Sequence, residues 1–296
     1  MLIIPYNFNA ALHIWHFVML EPEGFCLQRK GMVIDMEKLV LNHVYKRYQR
    51  GTFVLQDCSL QLAGGEFAVL LGCAQSGKST LLKLIAGIED TSMGEIYLDE
   101  KPVHRRMRER GGIAMVFEHG SLYPHKTVFE NIAFRVGTRG MSKGELRDRV
   151  ENAAECMDLT GVLECFPKQL SAGQRQLAMM AHAMAREPEL ILMDDPASCL
   201  GLGTGCRPMG HIFLEKTRLL QEKTGAAVIY ATPDIGEAWY FNERTIVLNQ
   251  GKILQIGTMA QLHENPASPD VQEYLSLFAT YPEIVFQSRL TASKAR

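Results

Sequence analysis

The nine residues Gly72-Cys73-Ala74-Gln75-Ser76-Gly77-Lys78-Ser79-Thr80 form a complete G-x-x-x-x-G-K-[ST] run. It follows an apolar strand pattern, Glu66 to Leu71, and opens a helical one, Leu81 to Ala86. That setting gives the motif its chemical meaning. The glycines let successive backbone N–H groups curl around a phosphate, and the helix behind them adds free N–H groups and a positive dipole end. Lys78 is placed to reach β- and γ-phosphates, and the Ser79 hydroxyl to ligate Mg²⁺. A plain glycine-rich turn is the competing reading. The pattern predicts a site for a nucleoside triphosphate.

Those residues need a sizeable scaffold. The chain has 296 residues and is 47% hydrophobic, enough to bury a large core in one or two domains. A net charge of -2 gives no chain-wide attraction to nucleic acid. Seven cysteines, scattered and never spaced C-x-x-C, favour reduced thiols over a disulfide framework or zinc site. The apolar run Ala11 to Leu20 is broken by His13 and His16 and is too short to span a bilayer. Its positive charge, Lys30, follows the run, whereas a signal peptide carries that charge in front. Residues 1–35 are read as an extension, or as a misplaced start with Met32 or Met36 as the true one.

Further motifs narrow the reading. Leu170-Ser171-Ala172-Gly173-Gln174 precedes a helical run, Arg175 to Arg186, and then a buried-strand pattern ending in acids, Leu190 to Asp194-Asp195-Pro196. Together with the P-loop this resembles the ATP-binding-cassette (ABC) ATPases, with an LSGGQ-like signature ahead of a Walker B strand. The resemblance runs from about Leu39 to Pro266. Val116-Phe117-Glu118, followed by Leu122 to Val128 and Glu130 to Phe134, is similar to the Q-loop region of carbohydrate-type importers. Glu145 to Leu159 reads as an amphipathic helix, and Ile246 to Gly257 as a hairpin turning at Gly251. The fold implied is α/β: a P-loop NTPase core of ABC type, an antiparallel β subdomain and an inserted α-helical subdomain. Its expected bounds are 36–265 for the cassette, about 119–180 for the helical part, and 266–296 for a tail too short for a complete regulatory barrel.

The resemblance also assigns roles, and here the chain departs from the pattern. ATP and Mg²⁺ are the implied cofactors, held by Gly72 to Thr80, with Ser79, Asp194 and Glu118 toward the metal. Tyr48 would stack on the adenine, with Tyr45 as competitor. Asp194 matches the Walker B aspartate. Asp195 stands for the catalytic glutamate on a stem shorter by about 1.5 Å, and a misplacement of ~1 Å can cost on the order of 10²-fold in rate. Glu118 replaces a glutamine and, when ionised, cannot donate a hydrogen bond. Pro233, in Thr232-Pro233-Asp234, fills the position of the switch histidine and offers no donor of any kind. Gly201 replaces the D-loop aspartate, and Gly203, Gly205 and Gly210 should weaken the helix that follows. His182 and Leu177 stand where arginines are usual. The signature keeps Ser171, Gly173 and Gln174, with Ala172 acceptable unless its φ is positive.

In such proteins ATP lies between two cassettes, one contributing the P-loop and the other the signature. The losses fall mostly on the face serving this chain's own ATP. The expectation is the cytoplasmic, membrane-peripheral ATP-binding subunit of an importer of a sugar, polyol or glycerol-type solute. Its catalytic candidates are Asp195 and Glu118, and its partners a second cassette (a heterodimer), transmembrane permease subunits and, indirectly, a solute-binding protein. No nucleic acid is expected. A non-hydrolysing regulatory cassette, a decayed copy and a non-transport ABC ATPase are the alternatives. One P-loop, no repeat and no sustained heptads weigh against the last. Met179, Met180 and Met184 are read as helix core.

Overall fold

The computed structural model describes residues 37–49, 51–103, 112–118, 122–134, 136, 140–198 and 207–276, without the side chains of 207–209. The expectations for residues 1–35, Gly201, Gly203, Gly205 and the tail beyond 276 therefore lie outside the described residues.

Two sheets organise the chain. The strands β1 (Glu37–Arg47) and β2 (Phe53–Ala63) pair antiparallel, with Leu39, Leu41, Val44, Leu55, Cys58, Leu60 and Leu62 turned inward. After β3 (Phe67–Leu71) and α1 (Lys78–Ile85), the strands β4 (Met93–Leu98) and β5 (Lys101–Pro102) complete a four-stranded sheet in the order β2-β1-β4-β5. The chain then enters the second sheet with β6 (Ile113–Val116).

Three helices follow: α2 (Val128–Ala133), α3 (Lys143–Cys156) and α4 (Ala172–Ala185). Each opens with a capping box, Thr127 with Glu130, Ser142 with Glu145, and Ser171 with Gln174, so each start is written into its sequence. The amphipathic helix expected over Glu145 to Leu159 is thus α3, starting two residues earlier and ending three earlier. The helix expected from Arg175 starts at Ala172, because Ser171 takes the cap.

The remaining elements are β7 (Leu190–Asp194), α5 (Arg207–Thr224), β8 (Ala227–Thr232), α6 (Ile235–Phe241), β9 (Arg244–Asn249), β10 (Lys252–Gly257), α7 (Met259–Glu264) and α8 (Pro269–Ser276). Gly210 lies within α5, so the helix tolerates that glycine. The hairpin of β9 and β10 turns at Gly251, as its pattern predicts.

The second sheet runs β10-β9-β3-β8-β7-β6, with β6, β7, β8, β3 and β9 parallel. Its central strands are buried on both faces, and alternate residues face two cores. Val69, Leu71, Ile191, Met193, Val228 and Tyr230 face the helices α2 to α8. Ala68, Leu70, Leu190, Leu192, Ile229 and Ala231 face α1 and the antiparallel sheet. Near-continuous apolar runs are what strands covered on both sides require. Because these strands are parallel, the ends of β3, β6, β7 and β8 emerge on one edge, carrying the P-loop, Glu118, the paired aspartates and the Pro233 turn. Crevices at the carboxyl ends of such strands are where open α/β sheets bind ligands.

Candidate functional site

The P-loop leaves the end of β3 and runs straight into α1. Gly77 sits at φ +108°, and a Cβ there would lie 2.8 Å from Leu55 Cδ2 and 3.2 Å from the Val54 carbonyl. At Gly72 a Cβ would meet the Leu248 carbonyl at 2.3 Å. Only glycine fits either position, which explains the spacing of the motif. No side chain caps α1, so its first N–H groups point into the loop. Gln75 adopts a left-handed conformation, φ 64°, to close the curl.

Lys78 is buried, and its ammonium donates to the carbonyls of Gly72 at 2.6 Å and Cys73 at 2.8 Å. Burial lowers its pKa, opposed by the charges of Asp195, Asp194 and Glu118. The Ser76 hydroxyl is buried with no hydrogen-bond partner among the described residues. An orphaned hydroxyl and a lysine folded onto its own loop are what a phosphate would engage. Ala74 and Gln75 form the loop's outer turn, closed by the Ser76 N–H donating to the Cys73 carbonyl at 3.2 Å, and Thr80 lies in the first turn of α1 beside Tyr48.

The carboxylates stand across from the loop. Ser79 Oγ donates to Asp194 Oδ1 at 2.9 Å. Burial raises the Asp194 pKa, with the nearby Glu118 adding to it against the Ser79 hydrogen bond. Asp195 takes φ 42°, its N–H donating to the Ala231 carbonyl at 2.9 Å, which pins it beside β8. Its carboxyl is pushed up to about 6 by burial first and by Glu118 next, against the pull of Lys78, with Asp194 and Asp234 adding. Glu118 lies in the turn after β6. Among the described residues no three acidic, histidine or cysteine side chains are placed to hold a metal by themselves. The bonded pair Ser79 and Asp194 suits Mg²⁺, which takes one or two protein ligands and completes its shell with water and phosphate oxygens.

The turn after β8 is strongly built although it lacks a histidine. The Asp234 N–H donates to Thr232 Oγ1 at 3.0 Å, and Asp234 Oδ1 caps α6 by accepting from Gly236 N–H at 2.6 Å. Beneath them Glu237 is buried, and Tyr230 donates its hydroxyl to Glu237 Oε2 at 3.0 Å. The Glu237 carboxyl is pushed up to about 7, by burial first, opposed by a hydrogen bond from Thr232, and raised further by Asp234. Gly72 N–H donates to the Thr232 carbonyl at 3.3 Å, tying the P-loop to this turn.

Ser171 and Gln174 form the exposed N-terminus of α4. Ser171 Oγ accepts from Gln174 N–H at 3.1 Å, and Gln174 Oε1 accepts from Ser171 N–H at 2.9 Å. The cap occupies an acceptor site of the hydroxyl and leaves its proton to donate outward. Ala172 lies in the first helical turn without positive φ, so its methyl costs no backbone strain, and Gly173 is buried beside it. His182 is mostly buried, with Nδ1 3.1 Å from the Ile132 carbonyl, and Met180 is fully buried in the core.

Tyr48 is 44% exposed, donates to Glu89 at 2.5 Å, and has the Lys46 ammonium 4.9 Å from its ring. Tyr45 instead packs edge-on to Phe53. Sequence reasoning missed Tyr230, Thr232 and Glu237. A glutamate three residues past a strand-ending Thr-Pro-Asp is the only signal, and nothing in spacing marks it as buried.

The comparisons with known proteins agree with this layout. The ABC transporter family profile matches residues 55–198. The sn-glycerol-3-phosphate import ATP-binding protein UgpC of Cupriavidus metallidurans is 39% identical over 240 residues, 81% of this chain and 64% of that protein. The trehalose import ATP-binding protein SugC of Mycobacterium tuberculosis is 38% identical over 257 residues, 87% of this chain and 63% of that one. The chain thus spans less than two thirds of the length of either. A solved dimeric structure of the ATP-binding cassette MJ0796, in a post-hydrolysis state bound to ADP and Pi, superposes with a TM-score of 0.66. It is 30% identical and covers 75% of this chain and 98% of that one. With P-loop, paired acids and signature helix on one α/β frame, the chain belongs to the ABC transporter family of ATP-binding cassettes.

Proposed function

We propose that the chain is the ATP-binding subunit of a membrane importer for a sugar, polyol or glycerol-type solute, with an attenuated hydrolytic site of its own. The observation that carries this reading is a contrast within one edge of the sheet. Ser79 and Asp194 keep their 2.9 Å bond, while Pro233 stands where a histidine would touch the terminal phosphate.

In this reading Lys78, the buried Ser76 hydroxyl and the α1 N-terminus bind the phosphates, and Tyr48 stacks on the adenine. Ser79, Asp194 and Glu118 hold Mg²⁺, which supplies charge neutralisation on the phosphate oxygens. Asp195 orients the attacking water, from a carboxyl one bond shorter than a glutamate's. Pro233 offers no proton and no hydrogen-bond donor to the phosphate, so turnover is slow. The exposed Ser171 hydroxyl is lent to the ATP of a second, more regular cassette. A homodimer of two weak sites is the second reading, favoured by the dimeric form of MJ0796.

Permease subunits dock near Tyr123 to Val128, where Tyr123 and Phe117 are exposed, and a solute-binding protein acts through them. No helix among the described residues is long and apolar enough to cross a membrane, in keeping with a peripheral subunit on the cytoplasmic face. The cassette occupies 36–265, with α2 to α4 as its helical part. The test pairs equilibrium binding of MgATP with single-turnover hydrolysis in the purified chain. Binding with turnover at least ~10²-fold slower than in a regular cassette is the expected result. Turnover at ordinary rates contradicts attenuation, and no binding contradicts the ATP site itself.

A further inference from the structure

The tail helix α8 reaches the nucleotide site. Val271 and Leu275, one turn apart, bury themselves in the core and fix the helix's orientation. Tyr274, on the same side, is thereby carried between the P-loop and the turn after β8. Its hydroxyl donates to the Pro233 carbonyl at 3.2 Å and lies beside the Cys73 side chain of the P-loop. Burial first, and the Cys73 neighbour next, raise the phenol pKa, so the hydroxyl remains a donor at any working pH.

Three residues of unrelated sequence position meet here: Cys73 at the start of the P-loop, Pro233 in the switch turn and Tyr274 in the tail. Among the described residues the loops also share the long Gly72 N–H to Thr232 carbonyl bond at 3.3 Å. Proline cannot tie the turn to anything through its side chain or its nitrogen. Its carbonyl is the group left to hold, and Tyr274 holds it.

We propose that Tyr274 is a positioning residue of the nucleotide site, bracing the Pro233 turn against the P-loop where the chain lacks a switch histidine. The proposal rests on the reading of Gly72 to Thr80 as an ATP site. It assigns the tail helix a part in sensing the terminal phosphate, because the braced turn faces that end and not the adenine.

The experiment uses the full chain and its Tyr274→Phe variant, which removes the hydroxyl and keeps the ring. Calorimetric titrations with Mg²⁺ and either ADP or the non-hydrolysable β,γ-imido analogue of ATP give the affinities, and thermal melts give stability. The expected result is about fivefold weaker binding of the triphosphate analogue, unchanged ADP binding, and a melting point within a few degrees of the parent. Cys73→Ala should produce a smaller loss that does not add to that of Tyr274→Phe. Equal affinities in parent and variant, or equal losses for ADP and the triphosphate, overturn the positioning role while the ATP site stands. A parent chain that binds neither nucleotide overturns the ATP site and the proposal with it.

Discussion

Ser79 Oγ and Asp194 Oδ1 share a hydrogen bond of 2.9 Å between the start of α1 and the end of β7. It joins the phosphate loop to the acid strand through the two groups that would flank a magnesium ion. In the reading proposed above, the chain keeps what binding needs and lacks part of what hydrolysis needs.

Binding should depend on the loop's lysine. Lys78→Ala removes a charge-assisted donor to phosphate, each such bond being worth roughly 1.5–3 kcal/mol. Titration with a fluorescent ATP analogue and Mg²⁺ should show affinity falling about 10- to 100-fold, with circular dichroism unchanged. An unaltered dissociation constant would place the nucleotide elsewhere.

Gly77→Ala should cost stability as well as binding. The new methyl meets Leu55 Cδ2 at 2.8 Å at a residue with φ +108°. Strain of this kind costs on the order of 1–3 kcal/mol, which in a chain of this size lowers the melting point by several degrees. A melting point equal to the parent's would mean that the loop relaxes freely.

The buried Glu237 gives a pH signature. Its carboxyl is pushed up to about 7 in the folded chain, above an unfolded value of about 4.3. The folded state therefore holds the proton more tightly. That stabilisation is full below the unfolded pKa and is lost as pH rises through about 7. Glu237→Gln mimics the protonated form while still accepting from Tyr230. At pH 8 it should melt about 5 °C above the parent, corresponding to roughly 2 kcal/mol, and the gap should close toward pH 5. A gap that does not change with pH contradicts the assignment.

Restoring the lost groups should restore chemistry. Pro233→His and Asp195→Glu together should raise the turnover of the lone chain by at least ~10-fold, and by more than the two separate gains combined, since groups that act as a unit are not additive. Rapid-quench assays of each variant give the comparison. No gain from the double variant would locate the defect elsewhere.

Much of this site was legible because its motifs are local. Gly72 and Gly77 are spaced for a backbone curl, and Ser171 with Gln174 is a capping box readable in four residues. The helical run read from Arg175 starts three residues earlier, at Ala172, because this box caps it. What stayed hidden is non-local. Tyr274 and Pro233 are 41 residues apart and meet only because Val271 and Leu275 anchor α8 in the core. The left-handed backbone of Asp195 comes from its bond to Ala231 on the neighbouring strand, which no spacing rule encodes.

The most direct measurement is steady-state ATPase activity of the purified chain alone, and of an equimolar mixture with the ABC cassette encoded nearest to it. Turnover confined to the mixture, and falling when this chain carries Ser171→Arg, is the result expected of a lent signature beside a weak site. Robust turnover by the chain alone would contradict it, leaving Asp195 sufficient as the catalytic carboxylate despite Pro233.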